Sequence, residues 1–322
     1  MKRRSLTLSA AALALVPLLG HAQQAFPDKP ITFVVPFAAG TATDQIARAL
    51  GNSITAETKQ PVVIDNRAGA SGFIASQQVA KAAADGYTVL ITTNTTHAAN
   101  EHLFKKLPYD PVKDFSPVTA LGKGGQIMVV NPSFPAKSVA EFIALAKKEP
   151  GKYSFGSGSS SSRMAGELLQ QMADIKLLHV PYKSNTLAVT DLLGGQIHMM
   201  ITDAATGLPQ VKGGKLRALG VSSAARSPLA PDVPTISEAG VKGYEMGYWF
   251  AAYAPAKTPP AVVKRLNELL VKAAKSESAK TAFYEPTGTE VFTTSAEELA
   301  KFQTAESQKW GRIVKAAGIE AE

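Results

Sequence analysis

The stretch Ile31 to Leu50, ITFVVPFAAGTATDQIARAL, constrains the fold more than any other part of the chain. Ile31 to Val35 is a β-branched, apolar run that predicts a fully buried strand. Pro36 ends its pairing, and Ala38, Ala39 and Gly40 leave the next backbone without bulk. From Thr41 the pattern turns helical, with Ile46, Ala49, Leu50 and Ile54 on one face. Thr41 followed three residues later by Asp44 has the spacing of a capping box. A helix that starts straight after a small-residue loop presents unpaired N–H groups and the positive end of its dipole, where carboxylates and phosphates bind. An ordinary βα turn would have the same sequence, so this stretch alone leaves both readings open.

The theme recurs along the first third of the chain. Pro61 to Asp65 predicts a second strand, NRAGASG (66–72) a glycine-rich loop, Phe73 to Ala84 a helix, and Tyr87 to Ile91 a third strand. Strand, helix, strand, helix, strand predicts a parallel sheet covered on both faces, with ligands held by the loops after the strand ends. The hydroxyl- and amide-rich Thr92 to His97 is such a loop, and it offers Thr93, Asn94 and Thr95 beside the first loop's Phe37 to Asp44.

Val118 to Leu121 and Gln126 to Val130 read as two strands separated by Gly122–Lys123–Gly124–Gly125, where the chain enters a second domain. There the opening pattern repeats. After a helix from Ser138 to Lys148, with Ser138 as cap and Glu141 as its box partner, a short strand at Tyr153 to Phe155 leads into GSGSSSS (156–162). A helix from Arg163 to Met172 follows. A glycine–serine run between strand and helix reads as a binding loop, with Ser157, Ser159, Ser160 and Ser161 as donors, although the same composition serves plain linkers. Strands at Leu177 to Val180, Ile197 to Ile201 and Leu216 to Val221 complete this part, and Asp203, just past the second of these, either accepts from a ligand or caps the next helix. The aromatic strand Tyr248 to Tyr253 predicts a return crossing. Helices at Pro259 to Lys275 and Ser295 to Ala317, the latter opening on a Ser295–Glu298 box, then pack on the first domain.

The expected architecture is therefore α/β with two domains: 23–121 plus 250–322, and an inserted 122–249, after a signal peptide at 1–22. Two crossover strands join the domains and a ligand cleft lies between them, as in hinge-closing binding proteins. Lys2, Arg3 and Arg4 before the apolar Leu6 to Leu19, then Gly20–His21–Ala22, have the layout of a cleavable leader and predict a periplasmic location. Removing 22 of the 322 residues leaves 300, and the net charge falls from +8 by three to +5. No cysteine is present, which excludes disulfides, thiol nucleophiles, Cys-bound metals and a lipoprotein anchor. The positive charge is dispersed, so no nucleic-acid partner is expected and the basicity mildly favours anionic ligands.

Catalytic signatures are scarce: there is no G-x-S-x-G, no P-loop and no H-E-x-x-H. No metal or cofactor site emerges. Ser157 or Ser160 approaching His97 would be the route to a hydrolase, and the spacing gives it no support. Lys183 and Arg163 serve either as counter-ions for an acid or as solvated surface charge.

The chain resembles the Bug-type extracytoplasmic receptors, the substrate-binding components of tripartite tricarboxylate transporters. The resemblance is carried by FPDKPITFVVPFAAG (26–40) with Asp44, DNRAGASG (65–72), ADGYTVL (84–90) and LPYDPVKDFSPV (107–118). It continues through HVPYK (179–183), DLLGGQI (191–197), the run from Gly213 to Gly240, Trp249, YAPAKTP (253–259) and KAAGI (315–319). It implies a type II periplasmic binding protein fold, no catalysis, and delivery of a carboxylated solute to membrane permease subunits. It also implies ligand contacts from Pro36 to Asp44 and from Gly156 to Ser161. Members usually carry glycines where this chain has Thr41–Ala42–Thr43 and Ser184–Asn185–Thr186, which implies a differently sized or more polar ligand. The expected function is a monomeric periplasmic receptor for a small organic acid: a mono- or dicarboxylate, an amino acid or an aromatic acid. Asp203 at the far end would favour an amine or hydroxyl over a second carboxylate. The rival readings are a ligand sensor that feeds a membrane signalling protein and an exported serine hydrolase.

Overall fold

Strand β1 (Ile31–Val35) lies parallel between β2 (Val62–Asn66) and β3 (Thr88–Thr93), and its Ile31, Phe33, Val34 and Val35 are fully buried. The computed structural model describes residues 26–316 and 318–321, and the expected leader at 1–22 lies outside them. Helices α1 (Ala42–Thr58) and α2 (Phe73–Ala80) connect these strands, and a helical turn at Thr95–Ala99 leads into α3 (Asn100–Leu103).

The chain then enters β4 (Phe115–Val130), 16 residues long. Beyond it come α4 (Val139–Lys148), β5 (Ser154–Ser157), α5 (Ser160–Ala173), β6 (Leu178–Pro181) and α6 (Asn185–Leu193). Next are β7 (Met199–Asp203), α7 (Ala204–Lys212) and β8 (Arg217–Val221). The return strand is β9 (Gly247–Pro255), followed by α8 (Pro260–Ala274), the short α9 (Glu277–Ala279) and α10 (Glu285–Thr287), and α11 (Ala296–Ala316).

Two lobes result. In the first, β2, β1 and β3 are extended by antiparallel β9, which also pairs with β4 from Phe115↔Pro255 to Gly125↔Gly247. From Gln126 onward β4 changes partners, pairing with β7 (Gln126↔Asp203 to Val130↔Met199) and with β8. In the second lobe β5 lies parallel between β6 and β7. Phe33, Ile46, Leu50, Phe250, Leu269 and Phe283 pack as one core of the first lobe, and Val189, Leu192, Met200 and Leu208 lie under the helices of the second. No helix among the described residues is long and apolar enough to cross a membrane.

Several local expectations are corrected. Gly122 to Gly125 is not a loop but the middle of β4. A Cβ on Gly124 would sit 2.6 Å from the Tyr248 hydroxyl oxygen, and one on Gly125 would sit 2.7 Å from the Ser223 Cβ. Glycine is there to admit close neighbours within a strand, not to break it. Ser160, Ser161 and Ser162 belong to the first turn of α5. Thr92 and Thr93 continue β3. The Thr41–Asp44 box does not form: the Thr41 hydroxyl donates to the Ala38 carbonyl at 2.7 Å, and Asp44 accepts from the Gly40 N–H instead. At Ser138 half of the box forms, with Glu141 reaching back to the Lys137 N–H. At Ser295 and Glu298 both bonds are made.

His97 is fully buried, stacked on Tyr253 at 3.9 Å between ring centroids, with Nδ1 2.8 Å from Thr96 Oγ1. Burial lowers its pKa from 6.5 to about 3, so the ring is neutral at physiological pH. A folded-state pKa below the unfolded value gives stability that is complete above pH 6.5 and lost as pH falls towards 3. The unfolding free energy of the wild type should therefore fall more steeply over that range than that of His97→Gln. Parallel curves in chemical denaturation would contradict this assignment.

Candidate functional site

The β1–α1 loop is held by one carboxylate. Asp44, 2 % exposed, accepts from the Gly40 N–H at 2.9 Å, from Asn66 Nδ2 at 3.0 Å and from Arg48 Nε at 3.0 Å. Asn66 Nδ2 also donates to the Phe37 carbonyl at 3.0 Å. Burial raises the Asp44 pKa, but the Arg48, Gly40 and Asn66 hydrogen bonds outweigh that and hold it below its ordinary 3.8. With the loop fixed, α1 begins at Ala42, and its first backbone bond within the helix runs from the Gln45 N–H to the Thr41 carbonyl. The earlier N–H groups lie at the positive end of the helix dipole.

The facing loop in the second lobe is braced in a different way. Ser159 caps α5 and forms a box with Ser162. Asn185 Oδ1 accepts from the Gly158 N–H at 3.0 Å and from the Ser162 hydroxyl at 3.0 Å, while its Nδ2 donates to Asp203 Oδ2 at 2.9 Å. Asp203 Oδ1 takes the Thr206 N–H at 2.9 Å, which makes Asp203 the cap of α7. The two lobes touch where the Ser160 hydroxyl donates to Asn100 Oδ1 at 2.9 Å.

Between the loops is a cavity of about 40 Å³. Of the residues singled out in the sequence, Phe37, Thr41, Thr43, Thr93, Ser159, Ser161 and Asp203 line it. Ala38, Ala39 and Gly40 lie at the loop surface, half-buried or exposed. Asp44 is spent on its own loop. Asn94 and Thr95 are buried behind Thr93, where Asn94 Nδ2 reaches the Gly247 carbonyl at 3.3 Å. Ser157 and Ser160 open instead onto a neighbouring space of about 390 Å³ that also meets Arg163, His179 and Lys183. On the other side, Gln126 and Tyr248 separate the cavity from a groove of about 960 Å³.

Ala42, Gly158, Gln126, Asn185, Tyr248 and Phe250 complete the cavity wall, and among the described residues Asp203 is the one charged side chain on it. Of these, Ala42 and Gly158 lie within the two loops the sequence points to. Tyr248 and Phe250 fall in the aromatic run, whose alternation marks one face of a strand without saying what it faces. Gln126 carries no local signal of a site, and Asn185 carries only the departure from the family pattern at Ser184 to Thr186. His97 does not approach the serines. Of Ser157 and Ser160, Ser157 meets a histidine, its hydroxyl 2.7 Å from His179 Nε2, and elsewhere Ser154 pairs with His198 and Ser307 with His102. No group of three or more His, Asp or Glu among the described residues is placed to hold a metal.

Two α/β lobes joined by two crossing strands, with helix N-termini facing a cavity between them, define a binding protein of the periplasmic type. The comparisons with known proteins agree, and the chain belongs to the tripartite tricarboxylate transporter family receptors, whose pattern it matches over residues 46–319. BugT of Bordetella pertussis is 34 % identical over 296 residues, which span 91 % of this chain and 90 % of that one. A protein encoded in the tcbD–tcbE intergenic region of a Pseudomonas species is 36 % identical over 316 residues, or 97 % and 94 % of the two chains. Among solved structures, an R. palustris protein with adipate superimposes with a TM-score of 0.89 at 35 % identity, over 92 % of this chain and 100 % of that one. MatC from Rhodopseudomonas palustris, with bound malate, gives 0.84 at 31 % identity, over 90 % and 100 %. Members of the family are periplasmic solute-binding receptors.

Because the Asp44 pKa is depressed in the fold, its stabilisation is complete above the ordinary carboxylate range and is lost as pH falls through the lowered value. Asp44→Asn should cost about 1–3 kcal/mol at pH 7, the loss of hydrogen bonds to a buried charge. The difference should shrink below pH 3.8. Urea unfolding at pH 7 and pH 3 measures both, and a pH-independent difference would show that the carboxylate charge does not hold the loop.

Proposed function

We propose that this protein captures a small carboxylated organic solute between its lobes and delivers it, chemically unchanged, to the permease subunits of a tripartite tricarboxylate-type transporter. The observation that carries the reading is the cavity itself: the N-termini of α1 and α5, one from each lobe, meet across it, and no Lys or Arg lines it. Helix ends and hydroxyls bind an anion through neutral donors. Each charge-assisted hydrogen bond contributes roughly 1.5–3 kcal/mol. Four or five of them sum to about 6–15 kcal/mol, and the stronger end of that range still leaves the ~8 kcal/mol of micromolar capture after an association cost of about 4 kcal/mol. Bound adipate and malate in two related structures support a carboxylate as the ligand class.

In this reading the lobes formed by 23–121 with 250–322 and by 122–249 turn as bodies about β4 and β9, and the mature protein works as a periplasmic monomer after loss of residues 1–22. Phe37, Thr41, Thr43, Ser159 and Ser161 contact the ligand, with Thr93 and Asp203 at its far end. The Ser157–His179 pair is a structural contact between neighbouring strands rather than a nucleophile and its base. Ser157→Ala should accordingly leave a p-nitrophenyl acetate background no different from that of the wild type.

A thermal-shift panel of mono- and dicarboxylates, amino acids and aromatic acids tests the main claim. A ligand present at ~100 times its Kd adds about 2.7 kcal/mol to stability, enough for a visible rise in Tm. If no acid in the panel raises Tm, the carboxylate reading is wrong.

A further inference from the structure

Gln126 stands where β4 leaves β9 and begins to pair with β7, directly opposite Asp203. Its backbone is fixed from one side, the N–H by the Ser222 hydroxyl at 2.6 Å and the carbonyl by the Ser222 N–H at 2.8 Å. Its side chain is 1 % exposed and lines the cavity, yet the buried carboxamide oxygen has no hydrogen-bond partner. A buried acceptor without a partner costs free energy, and a cavity-lining group in that state calls for a ligand that supplies the missing bond.

The surroundings define what that ligand carries. Beside Gln126 lies the Asp203 carboxylate, held by Asn185 and Thr206. The aromatic Tyr248 and Phe250 complete this part of the wall. Such a corner repels an anion, gives a bare methylene nothing to bond, and welcomes a hydrogen-bond donor. Resting on the carboxylate reading above, we propose that Gln126 is the residue that selects acids bearing a hydroxyl or ammonium group over their unsubstituted counterparts. The carboxylate goes to the helix ends and the donor to Gln126. The pinned backbone keeps the carboxamide in the wall, so the preference is set by chemistry rather than by reach.

Matched acids test this by calorimetry: propionate, lactate and alanine; succinate, malate and aspartate; 3-phenylpropionate, phenyllactate and phenylalanine. In wild type, at least one hydroxy or amino acid should bind about tenfold more tightly than its plain partner, and which of the two does so identifies the donor. In Gln126→Leu, and in the equally long Gln126→Met, that ratio should fall below about threefold. The ligand-free variants should melt at or above the wild-type temperature, because an unmet acceptor has been replaced by hydrocarbon. The proposal is overturned if the ratio survives in both variants, or if plain acids match their substituted partners in wild type. Failure of all nine acids to bind would overturn the carboxylate reading, and this proposal with it.

Discussion

The antiparallel pairing of Lys123, Gly124 and Gly125 with Trp249, Tyr248 and Gly247 is the contact on which the rest of the molecule depends. Both connections between the lobes run through it, so the relative position of the two sheets is set there. The missing side chains at Gly124 and Gly125 let Tyr248 and Ser223 close over the strand. The Tyr248 hydroxyl is then tied to Thr289 Oγ1 at 3.0 Å, and its ring becomes part of the cavity wall. Register slips between Pro117 and Thr119 and between Ala120 and Gly122 add local twist just before the crossing. A ladder of backbone hydrogen bonds thus does three things together: it joins the lobes, aims them at each other and carries the wall residues Gln126 and Tyr248.

Much of this was legible from local pattern. β1, α1, α8 and α11 announce themselves through strand or helix periodicity, because each buries one face or both against a single core. The two loops that line the cavity stand out in the sequence as small-residue runs between a strand and a helix, a pattern that ordinary βα turns and linkers share. What escaped was whatever depends on partners distant in sequence. Gly122 to Gly125 looks like a breaker in any short window, since Thr289, Tyr248 and Ser223 are far away in sequence. The hydroxyl-rich run at Ser160 reads as loop, although serine caps and first-turn positions share that composition. Asp44 was found at the right place with the wrong role: Arg48 and Asn66 converge on it, and its oxygens are committed to the loop rather than to a ligand. Gln126 and Asn185 reach the cavity only through strand register and loop crossing, which no periodicity encodes.

The division of rigidity follows from the same bonds. In the first lobe Asp44 ties the loop before α1 to the start of that helix and, through Asn66, to the end of β2. In the second, Asn185 ties the start of α5 to the cap of α7 through Gly158 and Asp203. A Cβ on Gly158 would lie 1.9 Å from the Ser184 carbonyl carbon, so the two loops are in direct backbone contact with no slack between them. Each of the two loops is therefore held by bonds internal to its own lobe.

The polar side chains around the two loops take opposite parts in this arrangement. Thr41 spends its hydroxyl on the Ala38 carbonyl, and Asn185 spends its amide within the second lobe. Thr43 makes no side-chain hydrogen bond among the described residues although it is buried at the cavity wall. The first two stiffen the loops they belong to, while the Thr43 hydroxyl stays uncommitted at the cavity wall. A site built this way gains its selectivity from the few groups left without partners, and the rest of the polar residues around it serve to hold those few in place.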